Sequence, residues 1–66
     1  MNITLNGDVR SVPGGLSVDG LLRHLGIEQR KVAVERNLEI VPKSAFQATQ
    51  IADGDRLEIV AFIGGG

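Results

Sequence analysis

Sixty-six residues are enough for one small domain, and 42% hydrophobic content gives that domain the means to form a core, which excludes a disordered tail. A net charge of −1, from seven basic and eight acidic residues spread along the chain, leaves no basic run to meet a phosphate backbone, so nucleic-acid binding is not expected. The absence of cysteine excludes a disulfide framework, a thiolate nucleophile and a zinc ribbon. A chain this short buries only about 60% of the surface its unfolded form exposes, which leaves little room for a core and an enclosed active site together. Nine glycines exceed the usual share, and Gly64, Gly65 and Gly66 stand together at the end.

Residues 2–5 alternate polar and apolar (Asn2, Ile3, Thr4, Leu5), the period of a half-buried strand. Asn6-Gly7 predicts a type I′ hairpin turn, and Asp8–Val12 reads as the returning strand, stopped by Pro13-Gly14-Gly15. Ser17 is a good N-cap and Asp19 sets a negative charge in the first helical turn, where the dipole favours it. Val18, Leu21, Leu22 and Leu25 fall at i, i+3, i+4 and i+7, an apolar stripe that predicts a helix over about 17–25, ended by Gly26. Gly20 inside it costs about 1 kcal/mol relative to Ala, with close packing as the one reason the sequence offers.

Lys31–Arg36 alternates again, with Val32 and Val34 on one side and Glu35 on the other, and Asn37 marks a turn. Glu39–Val41 forms a short strand ended by Pro42. Lys43–Gln50, with Phe46 as its large apolar anchor, reads as a loop with one helical turn. Asp53-Gly54 is a second turn, and Arg56–Phe62 is the longest strand. The order β-β-α-β-β-β requires a sheet to cover the one apolar helix stripe. The expected fold class is α+β: a β-grasp arrangement, a mixed sheet of four to five strands on one helix. Residues 1–62 form its single domain and residues 63–66 a glycine tail.

Catalytic and metal constellations do not assemble from these residues. His24, the sole histidine, falls off the helix stripe and reads as solvent-facing, with no nucleophile or orienting group to make it a base. Asp53 and Asp55 flank Gly54 as in a fragment of a calcium loop, but the downstream ligands are missing and a turn is the better reading. No metal site and no cofactor bound by the chain is expected, and the chain is not expected to be an enzyme by itself. No apolar stretch approaches the ~18 residues of a membrane span. The N-terminus lacks a basic segment before an apolar one, so no signal peptide is expected and the expected location is cytoplasmic.

The end of the chain carries the remaining signal. Glycine has no Cβ, so Gly64, Gly65 and Gly66 can thread a channel too narrow for side chains and present a terminal carboxylate to another protein's active site. The alternative is an ordinary frayed terminus. If Leu57, Ile59 and Ala61 face the helix, then Val60 and Phe62 point outward with Glu58. Together with Ile63 they form a candidate docking patch beside the tail, unless the Lys43–Gln50 loop covers them.

In this order and at this length, the motifs resemble the ThiS family of small sulfur-carrier proteins of thiamine biosynthesis, which are ubiquitin-like β-grasp proteins. The resemblance is carried by Ile3-Thr4-Leu5-Asn6-Gly7, by Leu16-Ser17-Val18 before Leu21-Leu22, and by Val32-Ala33-Val34-Glu35-Arg36-Asn37. It continues through Val41-Pro42-Lys43-Ser44 and Asp53-Gly54-Asp55 to the glycine terminus. Gly65 and Gly66 match the family's terminal pair, whereas Gly64 stands where a larger residue is usual. The resemblance implies that an E1-like adenylyltransferase (ThiF) uses ATP and magnesium to adenylate the carboxylate of Gly66. A cysteine desulfurase persulfide then supplies sulfur for a thiocarboxylate, and thiazole synthase (ThiG) takes that sulfur into the thiazole ring. The chain itself would be a monomer when free. A carrier for another acceptor (molybdopterin, tRNA thiolation or cysteine synthesis) and a ubiquitin-like binding module with an inert tail stay open as alternatives.

Overall fold

The computed structural model describes Met1–Phe62; Ile63, Gly64, Gly65 and Gly66 lie outside the described residues. Its elements are β1 (Asn2–Leu5), β2 (Asp8–Ser11), α1 (Val18–Leu25), β3 (Val32–Arg36), β4 (Glu39–Val41) and β5 (Arg56–Ala61), with single 3-10 turns at Gln29–Lys31 and Lys43–Ala45. The five strands form one sheet in the order β2-β1-β5-β3-β4. β5 pairs parallel to β1 and antiparallel to β3, so the sheet is mixed and its middle strand is the last in the chain. This is the β-grasp fold.

Local chemistry accounts for the elements. Asn6 and Gly7 both take positive φ, 49° and 88°, as a type I′ turn between β1 and β2 demands. Ser17 caps α1 by accepting a 3.0 Å hydrogen bond from the Gly20 N–H, and Gly26 closes the helix in the left-handed region at φ 73°. A Cβ on Gly20 would stand 3.3 Å from Leu16 Cδ2, a slightly tight contact with the tip of a side chain, and at an ordinary 3.5 Å from the Ser17 hydroxyl. Val18, Leu21 and Leu22 are buried and pack on Ile3, Leu5, Val32, Val34, Val41, Phe46, Ile51 and Leu57. Leu25 is partly buried at the stripe's end, and His24 is exposed, as its place off the stripe predicts.

Two expectations need correction. Strand β2 ends at Ser11 and strand β5 at Ala61, each one residue short of the predicted end. Val12 and Phe62 nevertheless continue the hydrogen bonding, donating to Met1 O and Lys31 O, both at 2.9 Å. Second, the inward alternation on β5 fades: Leu57 is buried, Ile59 partly so, and Ala61 is exposed. Alanine's single methyl contributes little to a core that at this end is filled by Val32, its cross-strand partner.

Asp55, read as a turn residue, also has a structural role. Its Oδ2 accepts from Arg36 Nε at 2.7 Å and from the Ala52 N–H at 2.8 Å, and its Oδ1 accepts from Asn37 Nδ2 at 3.1 Å. Burial pushes the carboxyl upward, but the hydrogen bonds from Ala52 and Asn37 and the Arg36 guanidinium outweigh it and hold its pKa below the ordinary value. The β3–β4 turn is thereby tied to the approach to β5. Asn37 contributes further through its Oδ1, which accepts from the Arg56 N–H at 2.9 Å.

Candidate functional site

The middle position of β5 decides what surrounds the last described residue. Phe62 follows a strand held on both sides, and its own N–H is bonded to Lys31 O. Lys43 reaches across from the 3-10 turn: its Nζ donates to Arg30 O at 2.6 Å and stands 5.0 Å from the centroid of the Phe62 ring, a cation–π contact. The root of the terminal segment is therefore anchored from two elements. Gly66, where the chemistry is expected, and Gly64 and Gly65 of the expected tail lie outside the described residues, as does Ile63 of the expected docking patch.

Val60 and Phe62 lie among the described residues. Val60 is 61% exposed and Phe62 is 44% exposed. The Lys43–Gln50 loop lends Lys43 to the Phe62 ring and leaves Val60 open. Strand register extends this surface. Val60 pairs with Ala33, Glu58 with Glu35, and Glu35 in turn with Ile40, which is 65% exposed. Successive side chains of a strand alternate between faces, so Ile40, Glu35, Glu58, Ala33, Val60 and Phe62 share the face of the sheet turned away from α1. Sequence reasoning found the β5 members from their alternation. It missed Ile40, because which strand lies beside which is not encoded in local spacing.

The opposite side of the molecule offers less. A shallow depression of about 350 Å³ lies between the C-terminal half of α1 and the following turn, with Leu22 and Ile27 in it and Asp19, Arg23 and Glu28 beside it. Its charges are paired with one another, Arg23 with Asp19 at 3.1 Å and Glu28 with Arg30 and Lys31 at 3.6 Å. A second depression of about 250 Å³ is formed by the β3–β4 hairpin with Pro42 and Thr49. Among the described residues neither brings a histidine to a hydroxyl or carboxylate, and no three metal-binding side chains gather. No described helix is long and apolar enough to cross a membrane. The arrangement is suited to being bound, through an open sheet face beside the held Phe62.

Comparison with known proteins agrees with the resemblance. The sequence model of the ThiS family matches residues 3–66. The chain is 56% identical over its full length to a thiazole synthase of Paramagnetospirillum magneticum, of which it spans 20%. It is 38% identical over 65 residues to the sulfur carrier protein ThiS of Bacillus subtilis, covering 98% of that protein. Among solved structures, the thiamine biosynthesis protein (ThiS) of Geobacter metallireducens superposes over the whole of both chains with a TM-score of 0.86 at 43% identity. A family match over residues 3–66, together with a fold shared with a solved member, shows that the chain belongs to the ThiS family.

Proposed function

We propose that the chain is a sulfur carrier of thiamine biosynthesis, acting as a protein co-substrate through the carboxylate of Gly66. The observation that carries this reading is the family match, which runs through residue 66. The Bacillus relative, named a sulfur carrier protein and matched over nearly its whole length, supports it. The chemistry is that of acyl activation. The Gly66 carboxylate attacks the α-phosphate of ATP in a ThiF-type enzyme, magnesium assisting, and pyrophosphate leaves. Persulfide sulfur from a cysteine desulfurase attacks the acyl carbon and expels AMP, and a thiol reduces the resulting acyl disulfide to the thiocarboxylate. A body without cysteine can carry sulfur as a thiol-type group nowhere but its carboxyl terminus.

ThiG is the proposed acceptor. A thiazole synthase that includes a region 56% identical to this chain supports this reading, since tethering a carrier region to its acceptor raises the effective concentration of one at the other. The free carrier is a monomer of the cytoplasm and holds no cofactor of its own. Val60, Phe62 and Ile63 dock it on its enzymes while Gly64 and Gly65 enter their active sites. Intact-mass measurement after incubation with ThiF, ATP, magnesium and a persulfide donor tests the reading. The expected product is heavier by the exchange of one oxygen for sulfur, and deleting Gly66 abolishes it. An unchanged mass with every such enzyme would rule the carrier function out.

A further inference from the structure

Glu35 and Glu58 are direct cross-strand partners in the β3·β5 ladder, so two carboxylates stand side by side on the outer face of the sheet. Like charges placed directly opposite destabilise a sheet, and among the described residues neither glutamate forms an ion pair. Arg56, two residues before Glu58 on the same strand and face, makes no ion pair with it either. Ile40 extends the row beyond Glu35, and Val60 lies next along β5. Both are well over half exposed. A local conflict left in place on an open surface is expected where a function relieves it.

The charge sets the occupant. A guanidinium is planar, always charged and rich in donors, so it can bridge two carboxylates where a compact ammonium serves one. We propose that the outer face binds a protein partner that lays an arginine between Glu35 and Glu58 and seats apolar side chains on Ile40 and Val60. The inference rests on the reading that carrier enzymes dock this chain, and it supplies the chemistry of the docking surface apart from the tail.

Calorimetric titration of ThiF and of ThiG from the same organism into the carrier, at low and high salt, tests it. The doubly neutral variant Glu35→Gln with Glu58→Gln should bind at least one enzyme about ten-fold more weakly, as expected for losing a close charge pair, and with a shallower salt dependence. The same variant should unfold at a higher temperature than the parent, because the repulsion is gone. Glu58→Lys should weaken binding further, whereas Asp8→Lys, the same charge change on β2 at the far edge of the sheet, should alter it less than about two-fold at high salt, where remote charges are screened. Undiminished binding by the neutral variant, or equal losses from Asp8→Lys and Glu58→Lys, overturns the proposal and leaves the carrier function standing. A lowered unfolding temperature in the neutral variant assigns the pair to the fold and also overturns it. Parent protein that binds neither enzyme removes the partner reading and this inference together.

Discussion

Asp55→Asn is the substitution whose consequences the structure defines most closely. The carboxylate receives three donors: Arg36 Nε and the Ala52 N–H on one oxygen and Asn37 Nδ2 on the other. An amide keeps one acceptor oxygen. Turned toward Arg36 and Ala52, it presents its NH2 to Asn37 Nδ2, donor against donor. Asn37 cannot flip to accommodate this, because its Oδ1 already accepts from the Arg56 N–H. The two bonds to the retained oxygen lose the carboxylate's charge, at about 1 kcal/mol together, and the new amide NH2 at this buried position is left unmet, at about 1–2 kcal/mol. The expected loss is about 2–3 kcal/mol at neutral pH, against a total stability of about 3–10 kcal/mol for a chain of this length. The Arg36 side chain is 31% exposed, which keeps the loss toward the lower figure.

Urea unfolding with unchanged slope should report that loss, and the melting temperature should fall by roughly 10–15 °C. The difference must also depend on pH. Because the folded pKa of Asp55 is depressed, its stabilisation is present in full above the unfolded value of about 3.9 and disappears as pH falls through the lower folded value. Parent and variant should therefore converge in strong acid. A loss under about 0.5 kcal/mol at neutral pH, or a gap that persists undiminished below the carboxylate range, would refute the account of the Asp55 cluster.

Two further substitutions probe the surface. Leu38 occupies the second position of the β3–β4 turn at φ 72° while 76% exposed, a conformation that costs a side chain about 1–2 kcal/mol and glycine nothing. Leu38→Gly should raise stability by about 1 kcal/mol in thermal unfolding, and a destabilisation of that size would show that the leucine packs favourably where it stands. Phe62→Asp should leave the melting temperature within a few degrees of the parent, since the ring touches Lys43 rather than the core, while reducing affinity for ThiF or ThiG. Unfolding of this variant would place Phe62 in the core and end its candidacy as a docking residue.

Short-range signals make much of this protein legible in its sequence. Asn6-Gly7, the Ser17 cap, the Val18–Leu25 stripe and the alternation of Val32 and Val34 each encode an element within a few residues, because turn geometry, capping and amphipathic period are local properties. The terminal glycines drew attention to Gly66 in the same way, by what side-chain-free backbone permits.

Tertiary structure decided what depends on register between distant segments. That β5 lies between β1 and β3, that Asp55 gathers Arg36 and Asn37 from nineteen and eighteen residues away, and that Glu35 faces Glu58 beside Ile40 are all consequences of strand pairing. Such pairings are chosen by the burial of a shared core and by loop closure, which act on the whole chain at once. A residue's own neighbours in sequence carry no record of them. The sequence alone could therefore point to the chain end as the proposed seat of chemistry and to β5 as the surface beside it, but only the folded sheet set two carboxylates side by side on that surface.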